Sequence, residues 1–258
     1  MMDAVQIVMV LLTFFLAGLV KGVIGLGLPT ISLAIITVAI NLETAMALLL
    51  APSLVTNLWQ GFAGSSTRYL LSRLWLFLIV TASVVFVGSM LFTLTNQQWL
   101  SALLGLLIII YALSSMFGWR WQTSSDVLTQ SPTKSLVKKD AKIAVAAGAL
   151  NGLLTGLTGS FVVPGVMYLQ NFGFEKDRFV QAMGLLFSVS TVALAAALWL
   201  QDRLPQSLSL ISMLAVIPAM LGMPLGQRLA RRLTEKRFKE LFYITLLLLG
   251  AYLVVTSL

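Results

Sequence analysis

The sequence predicts an all-α polytopic membrane protein built from two inverted-topology repeats of about five membrane segments each. Three observations predict this fold: a very apolar composition, apolar runs with the length of membrane spans, and a glycine-rich stretch that occurs twice. Of the 258 residues, 59% are hydrophobic and 10% are charged, against about a quarter charged in an average soluble domain. A chain with this much apolar surface is stable only with lipid as its solvent.

The composition also excludes several function classes. The formal net charge is +8, but the basic residues lie in short gaps between apolar runs, which is an orientation signal and not a nucleic-acid footprint. The chain has no cysteine and no histidine, and so lacks disulfides and the commonest general base and metal ligand. We therefore expect no nucleic-acid partner, no cofactor, no metal site and no catalytic residues.

Ten apolar runs follow one another, and most approach the about 20 residues that a helical span needs. The first run is preceded by Asp3, where a signal peptide would carry positive charge, so we interpret it as a retained span. Two runs are short, and each follows a glycine cluster, which is typical of half-helices or re-entrant segments. The runs are 4–24, 28–41, 44–63, 73–95, 98–117, 142–158, 161–172, 179–200, 207–227 and 240–257.

The interval 119–141 is the least hydrophobic part of the chain and divides it into halves of similar length. Its serine, threonine, glutamine, proline and lysine residues are typical of a flexible linker. We therefore divide the chain into a first transmembrane repeat at 1–118, a cytoplasmic linker at 119–141 and a second transmembrane repeat at 142–258.

The two halves share a motif at an offset of 134 residues. GLVKGVIG at 18–25 lies over GLLTGLTG at 152–159, with three glycines and a leucine matched without a gap. Three residues later in register, AMALLLAPS at 45–53 resembles AMGLLFSVS at 182–190. Matches in the same order on both sides of a central linker indicate a duplicated architecture.

The distribution of basic residues predicts the orientation. With ten segments and the linker inside, every lysine and arginine except Lys21 and Arg203 lies in or beside an inside gap. Merging each glycine-broken pair into one span would place the basic 228–239 loop outside, against the positive-inside rule. We predict that this loop is cytoplasmic, where it would touch anionic lipid heads, and that both termini are outside. Re-entrant hairpins and paired spans return the chain to the same side, and both stay open.

Five segments per half is an odd number, so the second half begins on the opposite side of the membrane. Such inverted repeats are typical of secondary transporters, whose substrate site lies near the midplane at the repeat interface. Broken backbone survives in lipid only where protein or a water-lined cavity satisfies it. The half-helices that begin near Pro29 and Pro164 would present free N–H groups and a partial positive charge to an anion. The alternative is that the glycine spacing only lets helices pack closely.

Lys21 is the only lysine or arginine inside an apolar run, and Thr155 is its repeat partner. A charge at membrane depth costs about 3 kcal/mol or more and is a functional-site hypothesis by default. The alternative is that Lys21 snorkels to the interface, four residues away. Glu43 and Asp177 lie at span ends and no other acid lies deeper, so the sign of the buried charge favours an anionic substrate.

The candidate site combines the glycine breaks, the lysine and polar side chains predicted to lie nearby. Four amides, those of Asn57, Gln60, Asn151 and Gln181, are costly enough in lipid to be suspected individually. We predict substrate contacts from Lys21, Gly22, Gly25, Gly27, Thr30, Asn57, Gln60, Thr155, Gly156, Thr158, Gly159, Ser160, Gln181 and Ser188.

Four stretches resemble the sulfite exporter TauE/SafE family, also described as toluene sulfonate uptake permeases. The likeness runs over nearly the whole chain and is weakest in the linker. One departure is the second glycine cluster, which is usually richer in consecutive glycines and here has Ser160 and Phe161. The stretches are GLVKGVIGLGLP (18–29), AMALLLAPSLVTNLWQ (45–60), GLLTGLTGSFVVP (152–164) and IPAMLGMPLGQRLARRLTEKRFKELFYITLLLLGAYLVV (217–255).

The resemblance implies a permease of the bacterial inner membrane that moves sulfite, sulfonates or related small anions. Together with the residues, it favours secondary transport by alternating access, with a small anion and the lipid bilayer as partners. A passive anion channel and a membrane assembly or scaffold protein are the alternatives. The coupling ion, Na⁺ or H⁺, the direction of transport and a homo-oligomeric state stay open.

Overall fold

The computed structural model describes residues 2–117, 134–230 and 235–257, and these form ten helices and no strand. The predicted all-α fold is confirmed. The predicted linker lies mostly outside the described residues, and the helix that follows it begins at Lys134, before the predicted start at 142. The helices are α1 (Ala4–Ile24), α2 (Leu28–Ala39), α3 (Leu42–Phe62), α4 (Thr67–Leu94), α5 (Gln97–Met116), α6 (Lys134–Thr158), α7 (Gly165–Gln170), α8 (Lys176–Leu200), α9 (Gln206–Ala230) and α10 (Glu235–Ser257).

Eight of these helices are long and apolar enough to cross a membrane, and α2 and α7 are the two that are not. The 12 residues of α2 cover about 18 Å at a rise of about 1.5 Å per residue, against a hydrocarbon core of about 30 Å. The chain is therefore a polytopic helical membrane protein, with two short helices at the two predicted short segments.

The second short helix is shorter than the sequence predicts. A segment was expected at 161–172, but α7 covers only Gly165–Gln170. The residues between α6 and α7 are not helical because Gly159 turns the chain at a φ of 71° and Pro164, which has no N–H, precedes the helix as its N-cap.

The break between α1 and α2 is set by two glycines. Gly25 caps the C-terminus of α1 in the left-handed region, at a φ of 87°, and its N–H donates to the Lys21 carbonyl at 2.8 Å. Gly27 is the N-cap of α2 at a φ of 114°, with Pro29 in the first turn that follows. Only glycine adopts such angles without strain, so the sequence fixes the break at 25–27.

Close helix pairs surround the two breaks. α1 packs on α9, and α4 packs on α6. A Cβ added to Gly22 would collide with the Met223 carbonyl of α9, and one added to Gly156 would collide with the Val85 carbonyl of α4. Glycines therefore bring the backbones of both pairs into contact, as small residues do in membrane helix packing.

In the predicted alignment of the halves, α1 corresponds to α6 and α4 corresponds to α9. The two-fold axis of an inverted repeat would therefore place the α1–α9 pair onto the α6–α4 pair. Two further extensive contacts, α3 on α8 and α5 on α10, would each map onto themselves. The packing supports the repeat, which itself stays a prediction.

Candidate functional site

Lys21 lies in the last turn of α1, one turn before the break. The side chain is 2% exposed, and it is the only charged residue among the buried residues that the structure describes. Its Nζ donates to Thr56 Oγ1 at 3.1 Å and also to Asn57 Oδ1. The ammonium is thus held by two neutral groups of α3, and the snorkelling alternative is not what the structure shows.

A polar stripe on α3 faces Lys21. Ser53, Thr56, Asn57 and Gln60 have helical spacing and share one face of the helix, and all four are buried. Asn57 uses its oxygen for Lys21, while its Nδ2 and the Ser53 hydroxyl have no hydrogen-bond partner in the described chain. Buried polar groups without a partner are costly, so these two donors are available to a ligand or to water.

Gln60 connects the stripe to the break. Its Nε2 donates to the Gly25 carbonyl at 2.6 Å and to the Val180 carbonyl of α8 at 3.1 Å. The Gly25 carbonyl at the break is therefore satisfied by protein, as broken backbone at membrane depth requires. Gln60 also joins the first half of the chain to the second.

The start of α2 adds two further donors beside the break. Thr30, in its first turn, is 2% exposed and has no partner for its hydroxyl in the described chain. The N-cap residue Gly27 provides no side-chain cap. The first N–H groups of a helix have no partner within the helix and carry a partial positive charge, which is suited to an anion.

At the second break, the backbone groups of Ser160 bond hydroxyl groups from the same half of the chain. Thr155 Oγ1 donates to the Ser160 carbonyl at 3.2 Å, and the Ser160 N–H donates to Thr158 Oγ1 at 3.3 Å. Asn151 Oδ1 accepts a 2.9 Å bond from the Gly165 N–H, and its Nδ2 has no partner in the described chain. This half is polar but uncharged.

The side chains of Gln181 and Ser188 of α8 already bond other groups of the chain, and the shortest bond of Gln181 joins its Nε2 to Thr67 Oγ1 at 2.7 Å. Gln181 Nε2 lies 3.1 Å from the Gly61 carbonyl and 3.0 Å from the Gly64 carbonyl, and its Oε1 accepts a 3.3 Å bond from the Ser66 N–H. The Ser188 hydroxyl donates to the Gly184 carbonyl of its own helix at 2.7 Å. Gln181 thus ties α8 to the connection between α3 and α4.

The structure divides the predicted site residues into four sets, one of which is the pair Gln181 and Ser188 on α8. Lys21, Asn57, Gln60, Gly25, Gly27 and Thr30 gather at the first break, whereas Thr155, Thr158, Gly159 and Ser160 gather at the second. Gly22 and Gly156 lie at helix contacts. The predicted set leaves out Ser53, Thr56 and Asn151, and the helical spacing of the first two from Asn57 was the signal that could have found them.

The first cluster is a set of donors around one cation. Lys21, the amide nitrogen of Asn57 and the hydroxyls of Ser53 and Thr30 can all donate, and no carboxylate is buried among the described residues. The described residues also contain no group of three or more His, Cys, Asp or Glu that could hold a metal ion. The arrangement is suited to an anion with several oxygen acceptors.

Comparison with known proteins finds one family over nearly the whole chain. A family model described as "Sulfite exporter TauE/SafE" matches residues 10–253, nearly the whole chain. The comparisons with curated proteins and with solved structures find no match.

Proposed function

Because the chain belongs to the sulfite exporter TauE/SafE family of membrane transporters, we propose that it is a secondary transporter of a small anion. The substrate is sulfite, a sulfonate or a related organosulfur or carboxylate anion. It crosses the bacterial inner membrane by alternating access, coupled to Na⁺ or H⁺. The central linker and the 228–239 loop are cytoplasmic, and both termini are outside.

The observation that carries the proposal is the environment of Lys21. A charge without a counter-charge is costly to bury, and buried lysines are usually paired. The described partners of Lys21, Thr56 and Asn57, are both uncharged. An anionic substrate would supply the missing counter-charge, and its binding would offset the cost of placing the ammonium there.

The donors around Lys21 match the acceptors of a sulfite or sulfonate group. Three oxygens on one sulfur can accept bonds from the ammonium, from Asn57 Nδ2 and from the Ser53 or Thr30 hydroxyl. Bonds between charged partners are shorter and stronger than neutral ones. The start of α2 adds the positive end of its helix dipole, which favours negative charge.

The two breaks support alternating access. Each half has one glycine-broken segment, and Gln60 joins the first break to α8 of the other half. In transporters with inverted repeats, one half rocks against the other around a site formed by such discontinuous helices. Under this proposal the charged cluster binds the anion, and the neutral break around Thr155 and Ser160 forms the opposite wall of the pathway.

The test is anion uptake into proteoliposomes by the wild type, Lys21→Gln and Lys21→Arg, with labelled sulfite, sulfate, thiosulfate, taurine and sulfoacetate. We expect saturable uptake of one anion by the wild type and a loss of about 100-fold or more in Lys21→Gln, because an uncompensated buried charge is worth about 3–5 kcal/mol. Lys142→Gln is the matched control, since it removes a lysine that is exposed at α6.

Gradients of Na⁺ and of H⁺ are imposed separately in the same vesicles. Uptake against the anion's own gradient, driven by one of these ions, is expected of a secondary transporter. Flux that only follows the anion's gradient and does not saturate would indicate a channel instead. If folded wild-type protein moves none of the five anions, the proposal is wrong.

A further inference from the structure

We propose that Ser212 of α9 is a positioning residue of the transporter: it completes the turn of α3 that Pro52 leaves incomplete, and thereby sets where Ser53, Thr56 and Asn57 lie. The inference rests on the proposed function, because the positioned residues are those of the proposed anion site. It adds a residue from a helix that contributes no side chain to the cluster described above.

The chemistry begins with the missing N–H of Pro52. Pro52 lies inside α3, and a proline there leaves the carbonyl four residues earlier, that of Leu48, without its helical donor. The Ser212 hydroxyl donates to this carbonyl at 2.8 Å and accepts a 3.1 Å bond from the Ala51 N–H. Ser212 is 3% exposed. A side chain of α9 thus supplies the donor that α3 lacks, as neighbouring helices do around prolines in membranes.

The C-terminal end of the same turn of α3 is bonded to residues of the proposed anion site. The Pro52 carbonyl accepts a 2.7 Å bond from Thr56 Oγ1, and that oxygen accepts a bond from Lys21. Ser212 of α9 and Lys21 of α1 therefore hold the beginning and the end of one segment, residues 48–56.

Both contacts come from a closely packed helix pair. Besides the contact between Gly22 and Met223, a Cβ at Gly226 of α9 would collide with the Leu19 carbonyl of α1. Because α1 and α9 lie backbone to backbone, a rearrangement of this pair relative to α3 must act on the Pro52 turn. A turn without its own donor bends more easily than a regular one, so we assign Pro52 as the hinge that carries this rearrangement to Ser53, Thr56 and Asn57.

The experiment uses the full chain in detergent and in proteoliposomes, with sulfite as the probe. The variants are Ser212→Ala, Ser212→Thr, Pro52→Ala and the double variant Pro52→Ala with Ser212→Ala. Ser209→Ala is the matched serine control, because this half-buried residue of α9 donates, among the described residues, only to the Pro205 carbonyl just before its own helix. Pro224→Ala is the matched proline control, since Pro224 is exposed on α9. Each protein yields a sulfite Kd, a maximal rate and an unfolding midpoint.

We expect Ser212→Ala to weaken sulfite binding about tenfold, equivalent to about 1.4 kcal/mol, and Ser212→Thr, which keeps the hydroxyl, to restore it. We expect Pro52→Ala to keep the affinity and lower the maximal rate about tenfold, because the added N–H closes the hinge. In the double variant this N–H replaces the serine donor. Its Kd and its unfolding midpoint should therefore match those of Pro52→Ala, and it should fold even where Ser212→Ala alone does not. Both controls should behave as the wild type.

Two results would overturn the inference. The first is a Ser212→Ala variant with a lowered unfolding midpoint but wild-type Kd and rate, which would make the serine purely structural. The second is strict additivity of the two substitutions in the cycle, because coupling is expected only between groups that share a partner. Absence of sulfite binding and flux in the wild type would exclude sulfite as the substrate, and absence for all five anions would contradict the proposed function. In either case the unfolding cycle would still decide whether Ser212 completes the α3 turn.

Discussion

Gly25 and Gly159 end α1 and α6 with the same geometry. Both lie in the left-handed region, at φ values of 87° and 71°, and each N–H donates at 2.8 Å to the carbonyl four residues earlier, in Lys21 and Thr155. The two glycines are separated by the offset at which the halves align. The backbone of the two breaks is therefore alike, and the difference lies in the side chains: one half carries a cation where the other carries a hydroxyl.

The first prediction concerns these two glycines. We expect Gly25→Ala and Gly159→Ala to lower the free energy of unfolding by about 1–2 kcal/mol each, because an alanine in the left-handed region is strained. The new Cβ would also lie 3.0 Å from Val180 Cγ2 or 2.8 Å from Met46 Cγ, which adds to the cost. Unfolding of the purified protein in detergent measures the change.

Gly173 provides the control for this experiment. Its φ is also positive, at 58°, but a Cβ there would have no neighbour within 4 Å. Gly173→Ala should therefore show the backbone strain alone and cost less than either of the other substitutions. Equal losses in the free energy of unfolding at all three glycines would mean that the side chains packed around Gly25 and Gly159 move aside without cost.

The elements of the fold were predictable because lipid imposes simple limits. The number and approximate positions of the segments and the short segment after Gly27 followed from hydropathy and from glycine and proline. The extent of α7 was not predicted, because the apolar letters of 161–172 do not reveal that the backbone stays irregular until Pro164. Such irregularity depends on side-chain bonds that replace helical ones, here those of the Thr155 and Thr158 hydroxyls with the backbone of Ser160.

The sequence identified several residues of the candidate site but not the contacts between them. Lys21 and Asn57 were suspected because ionic and amide groups are rare in membrane helices, and the structure brings these two together. Gln181 was suspected for the same reason, yet it binds a backbone connection. Ser212 was not suspected, because a serine in a membrane helix is common and only the position of Leu48 beside it reveals a role.

The second prediction concerns the charge balance at Asn57. Asn57→Asp places a carboxylate where the amide now accepts from Lys21, and the resulting ion pair neutralises the cation. We expect the protein to stay folded and anion uptake to fall about 100-fold or more. The reason is that two opposite unit charges about 4 Å apart attract each other by about 4 kcal/mol at an intermediate dielectric. Uptake of the preferred anion and the unfolding midpoint are measured together.

Asn41→Asp is the matched control for this substitution. Asn41 caps α3, and its Oδ1 accepts from the Thr44 N–H at 2.8 Å, a role that aspartate fills equally well. This variant should transport normally. Undiminished uptake by Asn57→Asp would show that the anion does not use the Lys21 charge.

The third prediction separates packing from substrate contact at Gly22. A Cβ there would strike the Met223 carbonyl, so we expect Gly22→Ala to cost about 1–3 kcal/mol of stability through overpacking. Gly156→Ala should cost a similar amount, because its Cβ would strike the Val85 carbonyl. Ala251→Val, which adds bulk at an exposed position of α10, should be nearly neutral. A Gly22→Ala variant of wild-type stability that no longer binds anion would instead show that the ligand approaches this backbone.

The fourth prediction concerns Gln181, whose amide serves the connection between α3 and α4. Gln181→Leu would leave the Ser66 N–H and the Gly61 and Gly64 carbonyls without this partner. We expect a loss of about 1–3 kcal/mol in stability and faster hydrogen exchange at residues 63–67, with the anion Kd of the remaining folded protein unchanged. Gln201→Leu removes one bond, to the Ser89 hydroxyl, and should cost less.

The outcome distinguishes two roles for the Gln181 side chain. If the amide held the substrate, its loss would raise the anion Kd and leave the connection as protected from exchange as in the wild type. If it holds the connection, the Kd is kept and protection is lost first at Ser66, whose N–H donates to the amide oxygen, and at its neighbours within 63–67. The second result is expected, since the bonds from Gln181 to this connection leave its nitrogen no free hydrogen for a ligand.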